Sequence, residues 1–302
     1  MNQQLVADRF ETHRSHLQSV AYRMLGSLTE ADDAVQEAWL RLHRTDLDTV
    51  DNLGGWLRIV VSRVCLDMMR TRAARHEDLV DQPPADRHPA SREDPEQEAL
   101  MADSVGRALL LVLNNLTPDE RVAFVLHDMF AVPFEEIAPI VARSPTTAKK
   151  LASRARGKVR GIPELPNSEL IRHRRIVSAF LIATRAGDLD GVVAVLAPDI
   201  TRYADRAAIP ASRPAEVRGA QKVAREISQF GKAARYADVA LVDGLPGIVI
   251  APQGRLTLVI AVTVKDGLID SYHLIAEPAR LSALTINALE PLPTEAAPSA
   301  VS

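Results

Sequence analysis

Charge and proline content divide this chain more sharply than any other feature of its sequence. The stretch 143–160 contains seven basic residues and no acidic residue, and the stretch 57–75 contains five basic residues against one acid. Between them, residues 76–98 carry eight acidic residues, four prolines and few apolar side chains. Because such a segment cannot bury a core, the pattern predicts two basic folded modules joined by a flexible acidic linker.

The same arrangement explains why the formal net charge is only −3. Salt screens the attraction between charges that lie more than about 10 Å apart. A polyanionic partner therefore responds to a local basic patch rather than to the average charge. Both basic modules therefore remain candidates for nucleic-acid binding.

Helical and strand-like periodicities assign a fold type to each part of the chain. Apolar residues recur at helical spacing in both basic modules. After residue 168, helices give way to strand-like runs, with Asp243-Gly244 and Asp266-Gly267 at hairpin positions. We therefore predict a multidomain protein, with two all-α domains followed by an α+β domain. The predicted boundaries are 5–75 and 100–163 for the helical domains, 76–99 for the linker, 169–285 for the α+β domain and 286–302 for a disordered tail.

The chain has a single cysteine, Cys65, and no apolar stretch long enough to span a bilayer. One cysteine excludes an intramolecular disulfide, and its apolar neighbours at helical spacing predict a buried core residue. The first residues lack the basic-then-apolar pattern of a secretion signal. These features predict a cytoplasmic protein without a membrane partner.

Local patterns predict where several helices begin. Thr29 has the side chain and position of an N-cap, and a turn at 52–55 is predicted to precede a helix at 56–75. Thr117 begins a capping-box sequence, and Ser144 precedes a proline at the first position of a basic helix.

The second module contains the pattern of a helix-turn-helix. A short amphipathic helix from Phe134, a turn ending at Ser144 and a long basic helix from Pro145 follow one another. A second helix of this kind lies in the major groove and presents its first turns to base edges and phosphates. The alternative for a basic helix taken alone is an ordinary solvated face. The side chains predicted to meet DNA are Thr146, Thr147, Lys149, Lys150 and Arg154.

Two helices of the first module differ in surface chemistry. The helix at 56–75 carries arginines that can neutralise phosphates. Trp56 at its start is either a base-stacking surface or a cap on the hydrophobic core. The helix at 32–42 has a polar and acidic exposed face, which suits a protein partner better than DNA, although an ordinary solvent-facing surface has the same pattern.

Three blocks of the chain resemble sigma factors of bacterial RNA polymerase. Residues 21–40 resemble the polymerase-binding helix of sigma region 2, and residues 55–67 resemble the helix of that region that melts the promoter and reads the minus-10 element. Residues 116–126 and the helix-turn-helix resemble region 4, which reads the minus-35 element. Their order, without the middle region of housekeeping sigma factors, is similar to the extracytoplasmic-function group, group IV of the sigma-70 family.

This resemblance implies an alternative sigma factor rather than an enzyme. Such a protein binds the β′ clamp and β flap of core RNA polymerase, recognises promoter DNA and initiates transcription without a cofactor. The implied core-polymerase contacts are Asp32, Asp33, Gln36, Glu37 and Arg41. The implied minus-10 contacts are Trp56, Arg58, Arg63, Arg70 and Arg72, and the implied minus-35 contacts are the five helix residues predicted above to meet DNA.

Residues 180–199 resemble the opening of a SnoaL-like domain, a cone-shaped α+β fold that a subgroup of these sigma factors carries after region 4. The resemblance implies a regulatory domain within the chain and no requirement for a separate anti-sigma protein. Two loops depart from the subgroup. Residues 204–210 replace an Asp-Gly-Gly-Gly-Lys-like loop, and residues 277–281 keep only the Pro and Leu of an Asn-Pro-Asp-Lys-Leu-like motif, with Arg280 in the basic position.

Two other functions fit parts of the sequence. A one-component transcription regulator would bind DNA alone, sense a small molecule in the cone and footprint its operator without core polymerase. An enzyme would need a desolvated acid in the cone. The sequence shows no metal-ligand spacing, phosphate loop or nucleophile elbow, so we assign no catalytic residue, metal or cofactor. The acid–base groups to inspect are Asp205, Asp243, Asp270, Tyr272 and His273.

Overall fold

The computed structural model describes residues 3–45, 50–78, 107–227, 234–252 and 255–289. The chain forms two compact units, Met1–Val159 and Arg160–Ser302. The first unit is helical and the second combines helices with one sheet, which confirms the predicted fold class. None of the described helices is both long and apolar enough to cross a membrane.

The first unit consists of helices packed around buried aliphatic side chains. Phe10, Leu17 and Leu57 are almost completely buried between its first three helices. Cys65 is fully buried in the same core, as predicted, and burial raises the pKa of its thiol to about 12. The helices are α1 (Gln3–Leu25), α2 (Leu28–Leu42), α3 (Leu53–Asp78), α4 (Arg107–Leu113), α5 (Pro118–Phe124), α6 (Phe134–Val141) and α7 (Pro145–Arg160). Helix α5 continues as a π-helical turn over Val125–Met129.

Two of the predicted helix starts are wrong by a few residues. Ser27, rather than Thr29, caps α2, because its hydroxyl accepts the backbone N–H of Glu30 at 3.4 Å. The predicted turn at 52–55 is the start of α3, where the Asn52 side chain accepts the backbone N–H of Gly55 at 2.9 Å. In both cases a polar side chain one turn earlier satisfies the free N–H groups of the helix.

The other two predicted caps are confirmed. Thr117 and Glu120 form a reciprocal capping box at the start of α5, with N···O distances of 3.4 and 3.1 Å. The Ser144 hydroxyl accepts the backbone N–H of Thr147 at 3.2 Å at the start of α7. The predicted linker begins later than expected, since α3 extends to Asp78. Residues 79–106 lie outside the described residues.

One mixed sheet forms the centre of the second unit. The strands are β1 (Leu196–Ala204), β2 (Glu216–Arg218), β3 (Ala237–Val242), β4 (Leu245–Ile250), β5 (Leu258–Lys265), β6 (Leu268–Ile275) and β7 (Ile286–Asn287), and the helices are α8 (Asn167–Ala186), α9 (Leu189–Ala194), α10 (Ala220–Ile227) and α11 (Pro278–Ala283). The strand order is β2-β1-β6-β5-β4-β3-β7, in which β1 and β6 are parallel and the other neighbours are antiparallel. Helices pack on the sheet around Val177, Phe180, Val223 and Ile248.

Both predicted hairpin turns are present. Asp243 and Gly244 connect β3 to β4 with φ values of 48° and 79°, and Asp266 and Gly267 connect β5 to β6 with φ values of 52° and 82°. Two consecutive residues with positive φ are typical of the two-residue turn that matches the twist of a hairpin.

The second unit extends beyond both predicted boundaries. Before α8, the backbone N–H of Glu164 donates to the Gly244 carbonyl at 3.0 Å, so the segment after α7 joins this unit. At the other end, Ile286 and Asn287 form β7 and pair with β3. The disordered tail predicted from 286 is therefore wrong for these two residues, and residues 290–302 lie outside the described residues.

Candidate polymerase and promoter interfaces

Helices α6 and α7 form the predicted helix-turn-helix. Helix α6 ends at Val141, and its C-cap residue Ala142 has a left-handed conformation with φ 55°. The next N–H, from Arg143, donates to the Ala138 carbonyl at 3.0 Å. This left-handed turn ends α6 and directs the chain into α7. Ala148 and Ala152 are fully buried on one side of α7. Small buried residues let α7 pack closely against the rest of the helical unit. The opposite face of α7 then points outward.

The outward face of α7 carries most of the side chains predicted to meet DNA. Thr146, Lys149, Lys150 and Arg154 are exposed within its first three turns. No ion pair involving these three cations is present among the described residues. Thr147 differs, because it is half-buried and its hydroxyl lies 2.9 Å from the Ser144 hydroxyl in the N-cap. The four exposed side chains therefore form a surface with cations available to a polyanion.

Two other cations of α7 are engaged inside the unit. Arg156 pairs with Asp128 at 3.4 Å, and Lys158 pairs with Glu120 at 2.7 Å. Burial disfavours ionised Glu120, but hydrogen bonds from Lys158 and from the Thr117 backbone outweigh it and hold the pKa of Glu120 below its usual value. One helix thus separates structural cations from outward ones.

The arginines predicted to read the minus-10 element have protein partners. Arg58 pairs with Glu136 of α6 at 2.8 Å, and Arg70 pairs with Asp119 of α5 at 2.7 Å. Arg63 donates to the Pro139 carbonyl of α6 at 3.3 Å. Helix α3 therefore presents these three arginines to helices α5 and α6.

The remaining two members of the predicted minus-10 set lie apart from those contacts. Arg72 is half-exposed and pairs with Glu30 of α2. Trp56 is half-buried at the start of α3. The structure thus brings three of the five predicted side chains to one contact surface.

A buried arginine anchors the contact between helices α1–α3 and helices α4–α7. Arg121 of α5 is 5% exposed, and its Nε and Nη2 atoms donate to the Arg23 carbonyl at the end of α1 at 3.3 and 3.2 Å. Its Nη1 atom donates to Asn114 at 2.7 Å. Burial lowers the pKa of Arg121 to about 10, with a smaller contribution from nearby Arg72. Arg23 also lies over the ring of Phe130, 5.1 Å from its centroid.

The predicted polymerase-binding residues follow one face of α2. Asp33 and Gln36 are exposed. Asp32 accepts a hydrogen bond from Gln18 at 2.5 Å, and Glu37 pairs with Arg41 at 2.9 Å.

Sequence reasoning missed one residue on this face. Leu40 is 45% exposed and follows Asp33, Gln36 and Glu37 at helical spacing. An exposed leucine within a polar stripe could have been noticed from that periodicity.

The five acid–base candidates of the second unit do not converge. Asp243 accepts the Thr285 backbone N–H at 2.8 Å beside a hairpin turn. Tyr272 is buried in the core, whereas His273, the next residue on β6, is half-exposed. Asp270 lies instead beside Asp199 and Tyr203 in an open polar cleft. The structure therefore supplies no acid–base centre that all five share, although Asp205 and His273 lie close together.

Asp205 joins the two loops that depart from the SnoaL-like subgroup. Its carboxylate accepts the backbone N–H groups of Ala276 and Glu277 at 3.3 and 3.4 Å, and it pairs with Arg280. His273 lies 3.8 Å from the same carboxylate, and burial, followed by the charge of Arg280, lowers the pKa of this imidazole. Asp205 is thus a structural link between the loops 204–210 and 277–281. Among the described residues no group of three or more His, Cys, Asp or Glu is arranged to hold a metal ion.

Comparison with known proteins identifies the class. Residues 9–75 match Sigma-70 region 2, and residues 106–159 match Sigma-70, region 4. The chain is 38% identical to the ECF RNA polymerase sigma factor SigJ of Mycobacterium tuberculosis, over 94% of this chain and 96% of that protein. It is 34% identical to the probable ECF RNA polymerase sigma factor SigI of the same organism, over 92% and 96% of the two chains.

A crystal structure of SigJ from Mycobacterium tuberculosis covers 91% of this chain and 98% of its own chain, with 34% identity and a TM-score of 0.43. From its sequence relatives, this chain belongs to the extracytoplasmic-function (ECF) family of RNA polymerase sigma factors. The predicted family and the predicted function, an alternative sigma factor rather than an enzyme, are confirmed. Helices α1–α3 correspond to region 2 and helices α4–α7 to region 4.

Proposed function

We propose that this sigma factor binds core RNA polymerase through the exposed face of α2. The observation that supports the proposal is an outward stripe in which the exposed Leu40 follows Asp33, Gln36 and Glu37 at helical spacing. Charged side chains beside an apolar one suit a protein interface, where charge sets partner choice and apolar contact adds affinity. The partner surface we assign is the β′ clamp, with Asp32 and Arg41 at the rim. Region 4 would then meet the β flap, and the protein would act in the cytoplasm, where core polymerase and promoters are found.

Helix α7 is the proposed minus-35 reader. The single observation that carries this assignment is a row of exposed cations on the second helix of the helix-turn-helix, with no ion pair to these cations among the residues that the structure describes. Lys149, Lys150 and Arg154 would contact phosphates or guanine edges. Thr146 would contact a base edge or phosphate, and Thr147 would hold the N-cap while its backbone approaches DNA.

Helix α3 is the proposed minus-10 reader, and it must exchange partners to act. Arg58, Arg63 and Arg70 bond to α5 and α6, so they reach the promoter only after region 4 releases them. Arg72 would in the same way leave Glu30, and the half-buried Trp56 would offer its ring to a base. Ion pairs that are partly exposed are weak, so contacts to core polymerase and promoter can replace them.

The C-terminal unit is the proposed regulatory domain. Its link between the loops 204–210 and 277–281 through Asp205 gives the two divergent loops a common anchor. We assign it a role in setting the fraction of molecules that are competent for transcription, without a separate anti-sigma protein.

Transcription in a purified system tests the function directly. The full chain is mixed with core polymerase and a library of promoter fragments, and transcripts are mapped. Promoter-specific initiation that needs both core polymerase and this chain is the expected result. A one-component regulator would instead protect its operator in a footprint without core polymerase and give no start-site selection.

A further inference from the structure

The C-terminal unit contains a cavity between its sheet and its helices. Its volume is about 80 Å³, and its walls come from α8, α10, the loop between β1 and β2, and strands β1 and β3–β6. Protein interiors are close-packed and contain few voids larger than a water molecule. A space of this size is therefore a candidate site for a small organic molecule.

Most of the lining is aliphatic or aromatic. Ile248, Ile250 and Ile260 line the sheet side, while Phe180 and Ile227 line the helix side. Cavities with such walls exclude water and accept apolar guests. The walls thus favour a ligand that places a hydrocarbon group against them.

The charged side chains of the lining carry an excess of positive charge. Among the described residues they are two arginines, Arg202 and Arg213, and one acid, Glu226. Arg202 is 1% exposed, and its Nε and Nη2 atoms donate to one oxygen of Glu226 at 3.2 and 2.6 Å. One carboxylate offsets only one guanidinium, so the second arginine leaves the lining positively charged.

Arg213 supplies this second guanidinium from the loop between β1 and β2. It is half-buried, and its Nη1 atom is inaccessible to water. The Nη1 atom of Arg202 donates to the carbonyl of the next residue, Pro214, at 2.9 Å, which holds the loop that carries Arg213 beside Arg202. A guanidinium presents a planar fork of N–H donors that matches the two oxygens of a carboxylate.

Two uncharged polar side chains complete the lining. The Thr184 hydroxyl donates to the Phe180 carbonyl at 2.7 Å, so its proton is used within α8. Tyr272 is 5% exposed, and burial raises the pKa of its phenol above the usual value. The phenol therefore keeps its proton at neutral pH and is able to donate a hydrogen bond to an anionic oxygen.

We propose that this cavity binds a small monocarboxylate with a hydrocarbon group of about three or four carbon atoms, such as a short branched-chain fatty acid anion. Burying an anion is costly unless a positive group compensates it, and the excess charge of the two arginines provides that compensation. The volume limits the hydrocarbon group, since a cavity of roughly 150 Å³ takes a benzene ring and this one is about half as large. The promoter and polymerase surfaces are not required for this site, so its test stands apart from theirs.

The experiment uses the full chain with isotopically labelled isoleucine methyl groups. Titration with isobutyrate at neutral pH is followed by NMR and compared with titration by isobutyramide, which has the same carbon skeleton and no charge. We expect saturable shifts of the methyl groups of Ile248, Ile250 and Ile260, with binding of isobutyramide weaker by at least about tenfold. The methyl groups of Ile162 and Ile286, which do not line the cavity, are the internal control and should not shift.

Acetate tests the contribution of the apolar walls. It keeps the carboxylate but lacks two of the carbon atoms of isobutyrate. It should bind about tenfold more weakly, because the two missing carbon atoms are no longer buried. Equal affinity for acetate and isobutyrate would mean that any small anion binds the arginines, and it would overturn the proposal.

One variant and a matched control test the role of the excess charge. Arg213→Gln should weaken isobutyrate binding by at least about tenfold and leave isobutyramide binding unchanged. Lys222→Gln removes one positive charge from the exposed face of α10, outside the lining, and should change neither affinity. Thermal unfolding checks that both variants fold.

Three results would overturn the proposal: no saturable shifts of the wall methyl groups, equal affinity of the wild type for isobutyrate and isobutyramide, or equal losses in the two variants. If Arg213→Gln does not fold, the comparison of isobutyrate with isobutyramide and acetate on the wild type decides the question.

Discussion

The basic residues of this molecule serve different purposes according to their position. Lys158 and Arg156 of α7 are held by acids of their own unit, whereas Lys149, Lys150 and Arg154 point outward without ion pairs among the described residues. A cation already paired in the fold has to lose its partner before it can bind a phosphate. Residue type alone therefore overstates the DNA-binding surface.

Replacing Lys149, Lys150 or Arg154 by Ala should weaken binding to a minus-35 fragment. Each pure phosphate contact that is lost should reduce the slope of log K against log salt by about one unit. The measurement is a fluorescence titration over a range of salt concentrations. Arg156→Ala is the matched control, because it removes a cation from the same helix that is paired with Asp128. It should leave the slope nearly unchanged, and an equal effect of all four variants would refute the assigned face.

Reversing Asp33 and Glu37 to Lys should weaken core polymerase binding by about 1–3 kcal/mol, as interface charge changes do. Both side chains lie on the accessible face of α2, so the helix should remain folded. A pull-down titration measures the affinity, and circular dichroism checks the fold. Asp8→Lys together with Glu11→Lys reverses two acids of α1 outside the proposed face and serves as the charge control. Wild-type affinity in the α2 variant would disprove the interface.

At the scale of elements, α3 and α5 show how a surface that is suited to DNA can be occupied by protein. The arginine spacing on α3 predicts phosphate contacts, yet α5 and α6 supply Asp119 and Glu136 opposite two of those arginines. No periodicity within α3 contains this information, because the acids lie 49 and 78 residues further along the chain. Buried Arg121 contributes a contact of the same long range.

Asp119→Asn combined with Glu136→Gln should increase binding of the full chain to a minus-10 fragment by roughly two- to thirtyfold, since exposed ion pairs contribute about 0.2–1 kcal/mol each. The reason is that Arg58 and Arg70 lose competing partners. A filter-binding or fluorescence assay at fixed salt measures the change. Asp67→Asn combined with Asp33→Asn removes two exposed acids that face neither arginine and controls for the change in net charge. If both variants bind alike, the ion pairs do not compete with DNA.

Glu120 in the capping box of α5 should make the free energy of unfolding depend on pH. The folded pKa of Glu120 lies below its ordinary value of 4.5, so its contribution to stability is present above that value and is lost as pH falls through the folded pKa. Glu120→Gln keeps the capping-box hydrogen bond but cannot titrate. Urea unfolding should therefore show a stability difference between wild type and variant near neutral pH that shrinks as pH falls below 4.5. A stability difference that is constant with pH would contradict a stabilising negative charge on Glu120.

At the scale of the whole molecule, the chain divides where α7 ends. Gly161 follows α7 with φ 61°, a conformation that suits glycine at the end of a helix, and a side chain there would collide with Asn287. The segment up to α8 then belongs to the second unit through Glu164 and Gly244. The boundary is thus earlier than the predicted start at 169, because backbone contacts rather than composition determine it.

Ending the chain after Gly161 should change promoter-dependent transcription several-fold in a purified system. The C-terminal unit can shift the population of competent molecules only if it interacts differently with the competent and incompetent states. Retaining Gly161 preserves the end of α7, so DNA affinity of an isolated minus-35 fragment serves as the control for region 4. Unchanged transcript yield together with unchanged core affinity would exclude a role of this unit in that equilibrium.

The sequence by itself was sufficient to determine the fold class, the helix-turn-helix, the capping box at Thr117 and both hairpin turns. These features depend on residues within a few positions of one another, so local pattern and propensity contain them. Only the tertiary structure determined which cations are engaged, that Asp205 is a structural link, and that the buried Arg202 pairs with Glu226. Each of those depends on partners brought together from distant parts of the chain, and burial and charge balance are properties of that packing rather than of any segment.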